Sequence, residues 1–343
     1  MPFSYENNDT STERTVEELT GPMNFIESYV FLDFETTGLI KNVALPGLNE
    51  WKESNPGKTL EDLLRVIVGS VPKSIETMPH VTELSLRSIS KKQFERGMDE
   101  MSNDNLGTIS TNDLCLQFNL PFDETQWAEY NNKFQTVTSL KLTQEVLESK
   151  NYFPQEWDLI YNFLANVKKP AVVIAHNGIR YDYPLLFGEL SRDNGGKESN
   201  MLEQFRSIEG LYFADTKDAF EVIETKFLNK MDEIIIGTGP NDETLEEVSN
   251  SSVNAYLKDV KSKALTERYS AYFNELSEDE YALPVQKLDK QRTSQATLFR
   301  TIIGRHYNDH HASADTEALM KICMAYGKDF VRYLDEKRDK FPF

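Results

Sequence analysis

Cysteine is scarce in this chain, which has only Cys115 and Cys323 among its 343 residues. Two thiols cannot build a disulfide framework, and they cannot supply a four-cysteine zinc site. The sequence therefore predicts a protein of a reducing compartment in which both cysteines are ordinary core residues.

Long hydrophobic runs are also missing. No apolar stretch approaches the roughly 20 residues that a membrane-spanning helix needs. The opening segment, MPFSYENNDTSTERTVEELTGPMNF, lacks the basic-then-apolar order of a secretory signal. We therefore expect a soluble intracellular protein, cytoplasmic and/or nuclear, with no membrane partner.

Positive charge is in short supply, because 37 Lys and Arg residues face 56 Asp and Glu residues, for a formal net charge of −19. Proteins that coat long duplexes depend on Lys and Arg to neutralise phosphates, so this class is disfavoured. An enzyme that holds only a strand end in a small cleft stays possible, particularly if the cleft binds divalent cations.

The pattern of apolar segments predicts a disordered segment at 1–25 and one α/β domain at 26–343 with a mixed central sheet flanked by helices. Polar insertions are expected at about 40–79 and 229–291. The predicted strands are Tyr29–Glu35, 80–90, 113–120, 170–178 and 211–216. The predicted helices are 140–149, 154–167, 183–192, 217–228, 294–303 and 313–326, with 59–68 and 253–276 inside the insertions.

Two acids stand one residue apart at the end of an apolar run, in YVFLDFETTG. Side chains alternate along a strand, so Asp33 and Glu35 share one face. Two unpaired buried anions repel each other at considerable cost. Either this strand end is open to water, or the pair binds a cation.

Two further segments add acids to this pair. Asp182 follows a buried strand in AHNGIRYDYPLL, and Asp315 lies on a predicted helix in HHASADTEAL. Four carboxylates suit Mg²⁺ or Mn²⁺, and two such ions about 4 Å apart promote phosphodiester hydrolysis. His310 is expected in the loop before the helix, where it can take a proton from the attacking water near neutral pH.

These segments resemble a known family. FLDFETTGL, HNGIRYDYPLL and the five-residue step from His310 to Asp315 resemble the three motifs of the DEDDh, or DnaQ-like, exonucleases, which have a ribonuclease-H-like fold. VTELSL, VTSLKLTQEVLES and ADTKDAFEVIE look closer to one branch, the three-prime repair exonucleases (TREX). The resemblance covers roughly Tyr29–Glu35, His80–Leu228 and Ser294 to the C-terminus. No proline-rich loop or C-terminal membrane segment of the kind found in some members is present in the sequence.

The resemblance implies a role for each matched residue. It implies that the metal ligands are Asp33, Glu35, Asp182 and Asp315, and that His310 is the general base. It implies that Thr36 and Leu39 contact the terminal nucleotide, and that Arg180 and Tyr181 lie against the scissile strand. The implied activity is metal-dependent 3′→5′ removal of nucleoside monophosphates from single-stranded DNA or frayed DNA 3′ ends. A homodimer that pairs through the edge strand DLCLQFNL is also implied.

Two alternatives stay open. One is an RNA-directed exonuclease of the same superfamily, because no residue clearly reads a 2′-hydroxyl. The other is a nucleic-acid-binding protein that kept the fold and lost catalysis, against which the intact acids argue. His176 and the tryptophans are interpreted as packing residues, Tyr181 is as consistent with packing as with substrate contact, and His311 is expected to point away from the site.

Overall fold

The protein's structure is a computed structural model that describes residues 26–40, 56, 78–101, 109–136, 141–192, 200–225, 293–303 and 306–338. Five strands form one sheet: β1 (Ser28–Thr36), β2 (Val81–Ser90), β3 (Asn112–Gln117), β4 (Ala171–Ala175) and β5 (Leu211–Asp215). Their spatial order is β3-β2-β1-β4-β5. The β2 strand runs antiparallel to β1 and β3, whereas β1, β4 and β5 run parallel.

Helices cover both faces of the sheet. They are α1 (Lys91–Met101), α2 (Glu124–Phe134), α3 (Gln144–Glu148), α4 (Phe153–Asn166), α5 (Asp182–Ser191), α6 (Met201–Arg206), α7 (216–225), α8 (Gln295–Ile303) and α9 (Ala312–Lys337). This mixed sheet between helical layers is the α/β, ribonuclease-H-like class that the sequence predicts, so that prediction is confirmed. Among the helices of the described ranges, none is long and apolar enough to cross a membrane.

Strand β1 divides the core because its side chains alternate between the two faces of the sheet. Val30, Leu32 and Phe34 pack toward the face that α4, α5 and α6 cover. Tyr29 and Phe31 pack toward the face that α1, α7, α8 and α9 cover. The acids Asp33 and Glu35 continue this second series, so they lie on the α9 side of the sheet.

The central strands agree closely with their predicted positions. The run at 170–178 contains β4, which is fully buried between β1 and β5, as expected of a strand covered on both faces. The alternating segments at 80–90 and 113–120 form the antiparallel pair β2 and β3. The predicted helix at 140–149 is shorter than expected, since Thr143 caps α3 and the helix begins only at Gln144.

The long C-terminal helix α9 extends beyond its predicted end at 326. It continues through Gly327, where the chain kinks with φ of 59°, a conformation that glycine adopts without steric cost. Three helices were not predicted, namely α1, α2 and α6. The predicted disordered segment 1–25 lies outside the described residues, as do the insertions predicted at about 40–79 and 229–291, with their helices at 59–68 and 253–276, apart from residues 40, 56, 78 and 79.

The cysteines and tryptophans test the packing interpretations. Cys323 is fully buried, as predicted, but the prediction for Cys115 is wrong because its side chain is exposed on β3. This strand lies at an edge of the sheet, so only one of its sides is covered by a neighbouring strand. Trp127 and Trp157 are buried among other aromatic rings, which confirms their packing role.

Candidate active site

Three carboxylates meet where β1 ends and α9 begins. Asp33 and Glu35 lie near the C-terminal end of β1, and Asp315 lies in the first turn of α9. Each residue offers one oxygen, and these three oxygens lie within 4.8 Å of one another. Residues far apart in the chain therefore form one acidic cluster, which we call the acid triad.

Hydrogen bonds orient the carboxylate of Asp315. Its Oδ1 accepts hydrogen bonds from the Tyr307 hydroxyl at 2.7 Å and from Gln295 Nε2 at 3.2 Å. Its Oδ2 accepts the backbone N–H of His311 at 3.1 Å. With both oxygens held, the direction of the carboxylate is set before any ligand binds.

Asp182 lies beside the acid triad as the first residue of α5. It is almost fully buried, and its Oδ1 accepts the backbone N–H of Phe34, the residue between the two β1 acids, at 3.2 Å. The turn before Asp182 is fixed by Asp215 at the end of β5, whose carboxylate accepts the N–H groups of Asn177 and Ile179 at 2.9 and 3.0 Å. The structure thus brings together all four predicted acids, although Asp182 is not a member of the triad itself.

The four acids disfavour one another's charge. Burial, followed by the charges of Asp182 and Asp315, raises the pKa of Asp33 well above its usual range. Burial and the neighbouring acids likewise raise the pKa of Glu35 to about 8. The pKa values of Asp182 and Asp315 are also raised, with burial as the main cause in each. A divalent cation would offset the repulsion among these carboxylates. Their oxygens are the type of ligand that Mg²⁺ or Mn²⁺ prefers.

His310 lies in the loop before α9, as predicted. Its backbone has φ of 63°, and its imidazole is about half exposed, at 48%. It lines a pocket next to the acid triad together with Glu35, Thr36 and Lys141. His311 lines the same pocket, so the expectation that this second histidine points elsewhere is wrong. His311 is the residue at which the chain enters α9.

Of the four residues expected to contact substrate, Tyr181 and Thr36 contact each other. The Tyr181 hydroxyl lies 2.5 Å from Thr36 Oγ1 and donates to the Gly38 carbonyl at 3.1 Å. Leu39 is 77% exposed, and Arg180 is half-buried in the turn that leads to α5. Tyr181 is therefore tied to the segment that follows β1, and Leu39 offers an uncovered apolar side chain beside it.

Three polar residues near the acids were not identified as site residues from the sequence. Glu83 on β2 pairs in register with Glu35, Asp215 holds the turn before α5, and Tyr307 orients Asp315. Glu83 and Asp215 are acids at buried strand positions, in VTELSL and LYFADT, which is the same signal that drew attention to Asp33. His176, by contrast, is a packing residue as expected: its Nδ1 lies 3.0 Å from Thr216 Oγ1, and its ring stacks on Phe220.

Comparisons with known proteins gave structural similarity only. No protein-family model and no curated protein sequence matches the chain. The zinc-bound crystal structure of the E. coli ExoI–ssDNA complex is similar over 90% of this chain and 42% of that one, with 10% identity and a TM-score of 0.46. E. coli exonuclease I with a dT13 oligonucleotide gives 10% identity, 90% and 43% coverage, and a TM-score of 0.45. The RNase domain of yeast Pop2 gives 12% identity, 60% and 67% coverage, and a TM-score of 0.33.

The chain therefore spans less than half the length of the exonuclease I structures that it matches. With TM-scores below 0.5 and identities near one tenth, the functional conclusion depends on the side chains of this site. Kinship with the TREX branch stays a prediction.

Proposed function

We propose that the protein is a metal-dependent 3′→5′ exonuclease that releases nucleoside monophosphates from single-stranded DNA or frayed DNA 3′ ends. The observation that supports this most is the acid triad, in which Asp33, Glu35 and Asp315 bring oxygens within 4.8 Å of one another. A buried carboxylate, Asp182, stands beside it, and a half-exposed histidine lies in the adjoining pocket. Carboxylates with a nearby base suit hydrolysis of phosphodiesters.

In this proposal, the metal ligands are Asp33, Glu35, Asp182 and Asp315. When bound, two divalent ions would stabilise the charge that develops on the attacking and leaving oxygens. The protein's own contribution is to hold the four carboxylates in place before substrate arrives. The hydrogen bonds from Phe34 to Asp182 and from Tyr307 to Asp315 do this, because each fixes one oxygen of its carboxylate.

His310 is proposed as the general base. The nitrogen that takes the proton must be unprotonated and within reach of a water molecule. A half-exposed imidazole in a pocket shared with Glu35 meets the second requirement.

The strand end is proposed to lie along the rim formed by Thr36, Leu39, Arg180 and Tyr181. The exposed Leu39 side chain provides an apolar surface for the terminal base. Arg180 has no acidic partner among the described residues, so its guanidinium can bind a phosphate of the strand. The net charge of −19 limits binding to this short rim and disfavours a long contact with duplex.

Oligomers of matched DNA and RNA sequence, labelled at the 5′ end, test polarity and substrate together. The proposal predicts a ladder that shortens from the 3′ end in DNA, with mononucleotides as product and slower digestion of RNA. Products released from the 5′ end, or cuts within the strand, would contradict the polarity. Faster digestion of RNA would instead assign the same site to an RNA-directed enzyme.

We further propose a homodimer in which two copies pair through β3. The strand lies at the edge of the sheet, contains no proline and leaves Cys115 exposed. Such an edge can add a strand from a second copy. Light scattering at micromolar concentration should give the mass of two chains, and the mass of one chain would overturn this proposal.

A further inference from the structure

A buried acid outside the acid triad connects the sheet to the start of α9, the helix that contains Asp315. Glu83 on β2 is 4% exposed, and both of its carboxylate oxygens are engaged. Oε1 accepts the backbone N–H of Ala312, the first residue of α9, at 2.8 Å. Oε2 accepts Gln117 Nε2, from the edge strand β3, at 3.0 Å. Glu83 therefore links the edge of the sheet to the beginning of the helix that contains Asp315.

The beginning of α9 needs such a partner. The first N–H groups of a helix have no acceptor within the helix, and a side chain at the preceding position usually supplies one. His311 occupies that position here, but its side chain makes no capping hydrogen bond. Glu83 replaces the missing cap from a neighbouring strand, and its negative charge is favourable at the positive end of the helix dipole.

The residues on either side of this hydrogen bond are those proposed to do the chemistry. His310 lies two residues before Ala312, and Asp315 lies three residues after it. Glu83 also pairs in register with Glu35, so its backbone is fixed to the strand that holds the other two acids of the triad. The hydrogen bond to Ala312 thus connects the start of α9 to the strand that pairs with β1.

We propose that Glu83 is a positioning residue that fixes the His310 loop and Asp315 against the acids of β1. This inference rests on the proposed function. Glu83 acts here through the hydrogen bond that its Oε1 accepts from the Ala312 N–H, while its Oε2 accepts from Gln117. Small displacements of catalytic groups reduce rates steeply, by as much as about 10²-fold for 1 Å.

Two substitutions at Glu83 separate its geometry from its charge. Glu83→Gln keeps an oxygen that accepts the Ala312 N–H, and Gln117 can rotate its amide to accept from the new NH₂ group. Glu83→Ala removes the acceptor. Ser85→Ala is the matched control, because Ser85 is also buried on β2 and its hydroxyl lies 2.9 Å from Thr316 Oγ1 in the first turns of α9. It breaks a contact between the same two elements without touching the helix start.

Amide hydrogen exchange at Ala312, measured by NMR, reads the hydrogen bond without requiring activity. We expect protection in the wild type, in Glu83→Gln and in Ser85→Ala, and exchange about 10-fold or more faster in Glu83→Ala. Equal protection in Glu83→Ala and the wild type would overturn the inference. Because this measurement needs no nuclease activity, it separates failure of this inference from failure of the proposed function.

Single-turnover digestion of a DNA oligomer then tests the consequence. Glu83→Ala should slow the chemical step by about 10-fold to 100-fold while changing KM little, and Glu83→Gln should recover most of the rate. Ser85→Ala should stay near the wild type. A Glu83→Gln variant as slow as Glu83→Ala, or equal losses in Glu83→Ala and Ser85→Ala, would overturn the positioning role. If Glu83→Ala does not fold, Glu83→Asp provides the test, since its shorter side chain withdraws the acceptor from the Ala312 N–H: a slower chemical step supports the role, and an unchanged one refutes it.

Discussion

Asp182 Oδ1 accepts a hydrogen bond of 3.2 Å from the backbone N–H of Phe34, the residue that separates Asp33 from Glu35. This contact connects the start of α5 to the C-terminal end of the central strand β1. It also explains why the carboxylate stays in place while buried among other acids. The acids therefore form a preformed site whose electrostatic strain a bound cation would relieve.

Asp182→Asn should reduce turnover by roughly 10²-fold or more, the scale of losing one oriented electrostatic group. The fold should persist, because the asparagine oxygen can still accept the Phe34 N–H. In metal-free buffer near pH 8, the melting temperature should rise, since one anion of the cluster is gone. Thermal melts and mononucleotide release check both parts, with the exposed Asp158→Asn on α4 as control. A variant that melts early and cleaves normally would contradict the assignment.

The raised pKa values predict how stability depends on pH. A carboxyl whose pKa is higher in the folded than in the unfolded state keeps its proton in the folded protein, so the folded state binds more protons between the two values. For Glu35 this window runs from the usual range up to a pKa of about 8. Metal-free protein should therefore lose stability as pH rises through the window, by roughly 1.4 kcal/mol per pH unit for each extra proton.

Added Mg²⁺ should reverse that loss more strongly at pH 8 than at pH 5, where protons compete for the carboxylates. Melting curves in EDTA and in Mg²⁺ across this range provide the measurement. Stability that increases with pH in EDTA, or an equal Mg²⁺ effect at both pH values, would show that the acids are not strained by their neighbours.

Gly178 is expected to be intolerant of substitution. A Cβ atom there would lie 2.6 Å from Ala175 Cβ and 2.9 Å from Tyr183 Cζ. The tyrosine cannot easily yield because its hydroxyl donates to the Ala214 carbonyl at 2.5 Å. Gly178→Ala should therefore lower the free energy of unfolding by roughly 1–3 kcal/mol and disturb the turn that leads to Asp182.

Gly188→Ala is the control for this prediction. Its Cβ would meet nothing closer than the flexible Met78 side chain at 3.4 Å, and the residue lies inside α5. Alanine should stabilise the helix there by about 0.5–1 kcal/mol. Urea denaturation compares the two variants, and a greater loss at Gly188 than at Gly178 would disprove the packing argument.

The parts of the fold that could be predicted are those with a strong local pattern. Strands β1 and β4 are continuous apolar runs, and α4 shows a clear apolar stripe. Helices α1 and α2 were missed because few of their side chains reach the core. In α2 only Trp127 and Tyr130 are buried, which is too weak a period to recognise.

The residues of the site likewise divide into those that the local sequence predicts and those that it does not. Asp33, Glu35, Asp182, Asp315 and His310 follow motifs with fixed local spacing, so they could be found in the sequence. The hydrogen-bond partners of Glu83 and Asp215 lie far from them in the sequence. The residues next to these two acids therefore do not indicate which groups they bind. The direction of His311 was predicted wrongly because it depends on the loop conformation at His310, where φ is positive.

The two adjacent histidines should differ in their effect on catalysis. His310→Ala should lower the single-turnover rate by roughly 10²–10⁴-fold, the usual contribution of a general base, while metal and DNA still bind. His311→Ala should cost little, because the contact of His311 with Asp315 uses the backbone N–H. A larger loss at His311 than at His310 would transfer the role to the second ring, which lines the same pocket.

Release of mononucleotides from a labelled DNA strand, in Mg²⁺ and in EDTA, tests the central claim most directly. The wild type should release nucleoside monophosphates in Mg²⁺ and none in EDTA. Asp33→Asn and Asp315→Asn, each lacking one charge of the acid triad, should bind the strand without releasing product. Full activity in EDTA, or release by the two variants at the wild-type rate, would contradict the proposal that these acids form a metal-dependent nuclease site.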